Sequence, residues 1–287
     1  MPHPVGNGGG TAPALRGDLQ TMDRETVLEQ LTDGVLLLTM NRPKQKNAFN
    51  HVMWREMREA LADAQAADAV RVVVVTGAGD AFSAGQDISE MTGVDTGDDN
   101  SEMGFSMFMD RLCQFDKPLI AAVGGVGVGI GITMLLHCDY VYIARGARLR
   151  APFVTLGVAP EAASSYLFPA VIGYRNAVDL LFESDFISAE RAVELGIATQ
   201  LCEAEHLLDV ALAQAAHLAS KPMGSLRTTK RLLLATRADQ VRAARAREDA
   251  AFVGRIGSPE NIEAITAFFE KRPPDFSNVP PHDKKRS

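Results

Sequence analysis

An α/β core followed by a helical C-terminal region is the fold class this sequence predicts, on three observations. Short β-rich apolar runs alternate with segments of helical period, and those runs are apolar almost throughout, as strands covered on both faces are. From Ser188 onward the signals are helical. With 287 residues, 46% hydrophobic and 23% charged, the chain can bury a sizeable core as one large domain, with or without an appendage.

Taken in order, "MPHPVGNGGGTAP" is rich in Gly and Pro and lacks the apolar centre of a signal peptide, so a disordered tail is expected over residues 1–25. "GVLLLTMNRP" (Gly34 to Pro43) is a strand stopped by its proline, and "RVVVVTGAG" (Arg71 to Gly79) a second strand ended by two glycines. Between them Trp54, Met57, Leu61 and Ala64 recur at helical spacing, with Asn50 placed to cap. "PLIAAVGG" from Pro118 is a third strand, leading through a glycine-dense stretch into a helix at "ITMLLHCD". "YVYIA" (Tyr140 to Ala144) is a fourth strand. Ser188 caps a short helix closed at Gly196, and further helices are expected over Ala204 to Ser220, Gly224 to Thr236 and Val241 to Ile256. A last helix opens at Ser258 and Pro259 and runs to about Lys271. The resulting division is a core over 26–200, a helical packing or oligomerisation region over 201–276 and a second tail over 277–287.

The net charge of -7 argues against a nucleic-acid or membrane-surface partner, since both repel a protein with this excess. Cys113, Cys138 and Cys202 form no CxxC pair and read as reduced thiols of a cytoplasmic protein. No apolar run is long enough to span a bilayer. The six histidines show neither HxxxH nor HExxH spacing, so no metal site is expected, and His137 reads as a satisfied core or interface residue.

Three stretches carry possible chemistry. In "AFSAGQDI" (Ala81 to Ile88), Gly85 permits close backbone approach and a turn that aims the Gln86 amide outward, although such a turn can also be a plain strand-to-helix connection. Its resemblance to a GxSxG nucleophile elbow fails because Ala81 replaces the first glycine. "GGVGVGIGI" (Gly124 to Ile132) contains no GxGxxG, which argues against a Rossmann site; a helix N-terminus suited to developing negative charge and simple close packing both remain open. In "GVAPEAASSY", Glu161 has no charged sequence neighbour: in an apolar cleft desolvation would raise its pKa toward that of a general base, and in a solvated loop it would do nothing.

"NRPKQKNAFN", "AFSAGQDI", "KPLIAAVGGVGVGIGI" and "HCDYVYIA" resemble, in order and spacing, the crotonase superfamily of enoyl-CoA hydratases and isomerases, from about Asp33 to Phe276. The resemblance implies a ClpP-like spiral of ββα units with a C-terminal helical oligomerisation region, a homotrimer or dimer of trimers. It also implies an acyl-CoA substrate in fatty-acid metabolism and β-oxidation, and no cofactor beyond the CoA carried by the substrate. It places an oxyanion hole at the amides of Gln86 and Ile130, the latter preceded by Gly129. CoA is expected to meet Lys44 and Lys46, with Lys271 contributed by a neighbouring subunit, and the turn Ala84, Gly85, Gln86, Asp87 and Ile88, with Phe153 and Phe268 at the acyl pocket. The two glutamates of the hydratases are replaced by Thr133 and Phe153. "APFVTLGVAPEAASSYLFP" instead resembles the peroxisomal-type delta3,delta2-enoyl-CoA isomerases, making Glu161 the implied base, with Ala162 where that branch often has glycine. A hydratase, thioesterase, decarboxylase or dehalogenase reaction, or non-catalytic acyl-CoA binding, are the alternatives.

Overall fold

The computed structural model describes residues 24–91 and 101–280, so His3, His282 and most of both expected tails lie outside the described residues. The chain opens with a hairpin of β1 (Val27–Thr32) and β2 (Val35–Met40), turned at Asp33 and Gly34 with φ of 48° and 82°. An Asp-Gly pair with both φ positive is the usual two-residue hairpin turn, a signal the sequence reading missed together with β1. Helix α1 (His51–Ala66) follows; its N-cap is Asn50, whose side chain accepts the Met53 amide at 2.9 Å, as expected.

From there a strand-strand-helix rhythm repeats. Strands β3 (Val72–Gly77) and β4 (Ala81–Ser83) precede helices α2 (Ile88–Met91) and α3 (Ser101–Gln114). Strands β5 (Leu119–Val123) and β6 (Val126–Val128) precede α4 (Ile130–Thr133), which tightens into a 3-10 turn over Met134–His137. Strands β7 (Tyr140–Ala144) and β8 (Arg148–Arg150) precede α5 (Ser164–Ile172) and α6 (Tyr174–Glu183). In each unit the first strand joins one sheet and the second joins the other, giving the ββα spiral that the resemblance implies. Glycine makes the crossing between sheets possible: a β-carbon on Gly125 would lie 2.1 Å from the Asp80 carbonyl oxygen. After β9 (Ile187–Ser188), α7 (Ala189–Leu195) and β10 (Gln200–Cys202), the chain is helical: α8 (Leu207–Ala219), α9 (Met223–Ala235), α10 (Ala238–Val253) and α11 (Pro259–Glu270).

The larger sheet has the order β1-β2-β3-β5-β7-β10 and is parallel from β2 onward, while the smaller has the order β4-β6-β8-β9. Alternation along β3 explains its four buried valines. Val73 and Val75 face the core built on Trp54, Met57, Leu61, Phe108 and Leu112, and Val72 and Val74 face Leu207, Ala211, Ala215 and Leu218 of α8. Two expectations change. The glycine-dense stretch does not lead directly into a helix, because Val126–Val128 first pairs as β6 between β4 and β8. The helix expected over "ITMLLHCD" is one α turn and one 3-10 turn, ended by Cys138 in extended conformation. Among the described residues no helix is long and apolar enough to cross a membrane.

Candidate active site

The site begins with a glycine whose missing side chain lets two loops touch. Gly85, at φ 96°, packs so closely on the β6–α4 turn that a β-carbon there would lie 2.9 Å from the Val128 carbonyl oxygen and 3.8 Å from the Gly129 Cα. Gly129 itself has φ 56°. This approach brings the backbone of Gln86 beside that of Ile130. Among the described residues no acceptor takes either N–H, whereas their neighbours are engaged: the Asp87 amide donates to Phe49 O at 2.9 Å and the Gly129 amide to Arg150 O at 3.0 Å. The geometry supports the paired-donor option left open by the sequence. The Gln86 side chain is fixed separately, accepting the Trp54 Nε1–H at 2.8 Å.

A cavity of about 520 Å³ opens in front of these amides. Ala84, Gly85, Gln86, Asp87, Ile88, Gly129, Ile130, Phe153, Glu161 and Phe268 of the expected set all line it. Lys44 and Lys46 do not, but they flank Gln45, which does, on an exposed turn. That turn is bound to the site by the Ala84 amide donating to Lys46 O at 2.8 Å, and by Asn47 Nδ2 reaching Ala78 O and Ala81 O at 2.9 and 2.8 Å. Lys271 is outside the lining as well; it caps α11 one turn beyond Phe268. Cover from the last helix was expected through Phe268, but sequence reasoning missed its neighbours Ile265 and Phe269, Phe252 of the helix before it, and Arg150, the one arginine of the wall among the described residues. The apolar members of α11 stand three and four residues apart, so helical period was the available signal.

Two carboxylates line the cavity among the described residues, and their environments differ. Asp87 accepts Arg42 Nη1 at 2.9 Å and Ser89 Oγ at 2.7 Å; burial opposes its ionisation, but these bonds hold its pKa below the usual carboxylate range. Glu161 is partly buried and has no cationic partner among the described residues. Burial, reinforced by the negative charge of Glu248, pushes its pKa up to about 8, against an opposing hydrogen-bonding influence of the Thr133 hydroxyl. Ionisation near neutrality is the tuning a general base needs.

Thr133 and Phe153 are both buried. Thr133 Oγ1 donates to Gly129 O at 3.3 Å, and Phe153 presents hydrocarbon to the cavity. His137 is the core residue expected: its Nε2 donates to Ala162 O at 2.9 Å, and burial drives its pKa down to about 4.

A family model described as Enoyl-CoA hydratase/isomerase matches residues 30–279. The chain is 33% identical over 261 residues to 1,2-epoxyphenylacetyl-CoA isomerase of Escherichia coli (strain K12), covering 88% of this chain and 98% of that protein. It is 31% identical over 260 residues to Enoyl-CoA delta isomerase 2 of Homo sapiens, covering 89% of this chain and 66% of that protein. The crystal structure of an enoyl-CoA hydratase/isomerase from Pseudoalteromonas atlantica T6c superposes with a TM-score of 0.83 at 35% identity, over 88% of this chain and all 100% of that one.

Proposed function

This chain belongs to the enoyl-CoA hydratase/isomerase family of acyl-CoA enzymes, and from that premise we propose that it moves the double bond of a 3-enoyl-CoA to the 2-position, with Glu161 as its base. The observation that carries the reading is that, among the described residues, the cavity holds one carboxylate with a raised pKa, while the hydratase positions hold Thr133 and Phe153. Neither a threonine hydroxyl nor a phenyl ring accepts a proton from water near neutral pH.

The thioester oxygen sits between the N–H groups of Gln86 and Ile130, which draw electron density from C1 and acidify C2. Glu161 removes a C2 proton; the C–H electron pair becomes part of a dienolate whose oxygen the two amides hold. Protonated Glu161 then returns the proton to C4, and the double bond is left between C2 and C3. Atoms and electrons balance within the substrate, so the step uses no cofactor. Each such amide contributes about 3 to 4 kcal/mol in the transition state, because it is oriented before the charge develops. Phe153, Phe252 and Phe268 on the cavity wall keep water from the dienolate. CoA phosphates meet Lys44 and Lys46 at the mouth.

The test offers purified protein a 3-enoyl-CoA and, separately, a 2-enoyl-CoA, with products read by mass spectrometry. The reading requires an isomer of unchanged mass from the first ester and no adduct from the second; water added to the 2-enoyl ester overturns it.

A further inference from the structure

The turn carrying Glu161 is strained. Ala162 and Ala163 both have φ of 60°, in the left-handed region where an alanine β-carbon clashes with the backbone and glycine does not. Ala163 is also the N-cap of α5, where its side chain can satisfy none of the helix's free amides. The missing cap comes from a residue remote in sequence. Glu248 on α10 is 4% exposed, and its two carboxylate oxygens accept the Ala163 amide at 2.6 Å and the Ser165 amide at 2.7 Å. No cation forms an ion pair with it among the described residues. Its counter-charge is the positive end of α5 and the two N–H groups.

Resting on the reading of Glu161 as base, we infer that Glu248 is its positioning residue, clamping the Ala162–Ala163 turn through two backbone amides so that Glu161 points into the cavity. His137 completes the clamp at Ala162 O, and the Ser164 amide closes the turn on Glu161 O at 2.9 Å. The Glu248 carboxylate also adds negative charge near the base, which favours protonated Glu161. The other groups bearing on that proton are Asp249 of α10 and the Thr133 hydroxyl of α4, with Asp87 and Arg150 on the same cavity wall.

The experiment compares wild type with Glu248→Gln, which keeps the side chain's size but removes its charge and sets an NH2 against one amide. Expected are a kcat about a hundredfold lower, as for a misaligned reacting group, an almost unchanged KM for the 3-enoyl-CoA, and an acidic limb of kcat/KM displaced to lower pH. Titration of the Glu161 carboxyl by 13C NMR is expected to move in the same direction without reference to turnover. A lower melting temperature with unchanged kcat and unchanged titration would reduce Glu248 to a structural cap and overturn the inference. If Glu248→Gln does not fold, Ala162→Gly in the same chain relieves the turn; a folded double variant that remains slow supports the inference, and one with wild-type kcat overturns it. Wild-type protein that turns over no 3-enoyl ester instead refutes the reading of Glu161 as base.

Discussion

Gly85 and Val128 meet across the two loops of the site at a distance that admits no side chain, since a β-carbon on Gly85 would stand 2.9 Å from the Val128 carbonyl oxygen. This contact holds the turn that carries Gln86 against the turn that leads into Ile130. Gly85→Ala also places alanine at φ 96°, a strain of about 1 to 3 kcal/mol. Relief by separating the loops is expected to cost roughly 10²- to 10³-fold in kcat, the loss typical of one oxyanion donor, with a modest fall in melting temperature by circular dichroism. Wild-type kcat in Gly85→Ala would show that the contact does not set the amides.

Ile130 is the first residue of α4, where proline is well tolerated. Ile130→Pro therefore deletes the N–H with little disturbance of the helix, and kcat is expected to fall roughly 10²- to 10³-fold. Ile130→Gly retains the amide and should retain most of the rate. Equal losses in both variants would assign the effect to the lost side chain.

The raised pKa of Glu161 gives activity and stability opposite slopes. As a base it works ionised, so kcat/KM should rise through about pH 8. For stability, a folded-state pKa near 8 exceeds the ordinary value of 4.5, so the folded protein holds the proton more tightly than the unfolded chain. That contribution is complete below about pH 4.5 and is lost as pH climbs through 8. Denaturant unfolding of Glu161→Gln across this range should show a flatter pH dependence than wild type. Parallel curves would mean that Glu161 titrates where an exposed glutamate does.

The legible parts of the molecule were those governed by local chemistry. Asn50, Ser188 and Ser258 cap their helices through their own side chains, and β7 spans Tyr140–Ala144 as its apolar run indicates. The short strands of the smaller sheet were not legible, because two or three residues carry too little periodicity and β4, β6 and β8 are stabilised by one another. The glycine turns announced close backbone approach, but only the packing of Gly85 on Val128 shows which two turns meet. Glu161 could be named, whereas its supports could not: Glu248 reaches the turn from 85 residues beyond Ala163, and His137 from 25 before Ala162. Nothing in the local sequence marks either pairing.

If Glu161 alone moves the proton, its replacement is decisive, and the rate at which Glu161→Gln converts a 3-enoyl-CoA to its 2-enoyl isomer is to be measured beside wild type. The substitution keeps shape and removes the base. A rate lower by roughly 10²- to 10⁴-fold, with the fold and CoA-ester affinity intact, is the result expected. Isomerisation at the wild-type rate by Glu161→Gln would contradict the claim and place the proton transfer on another group.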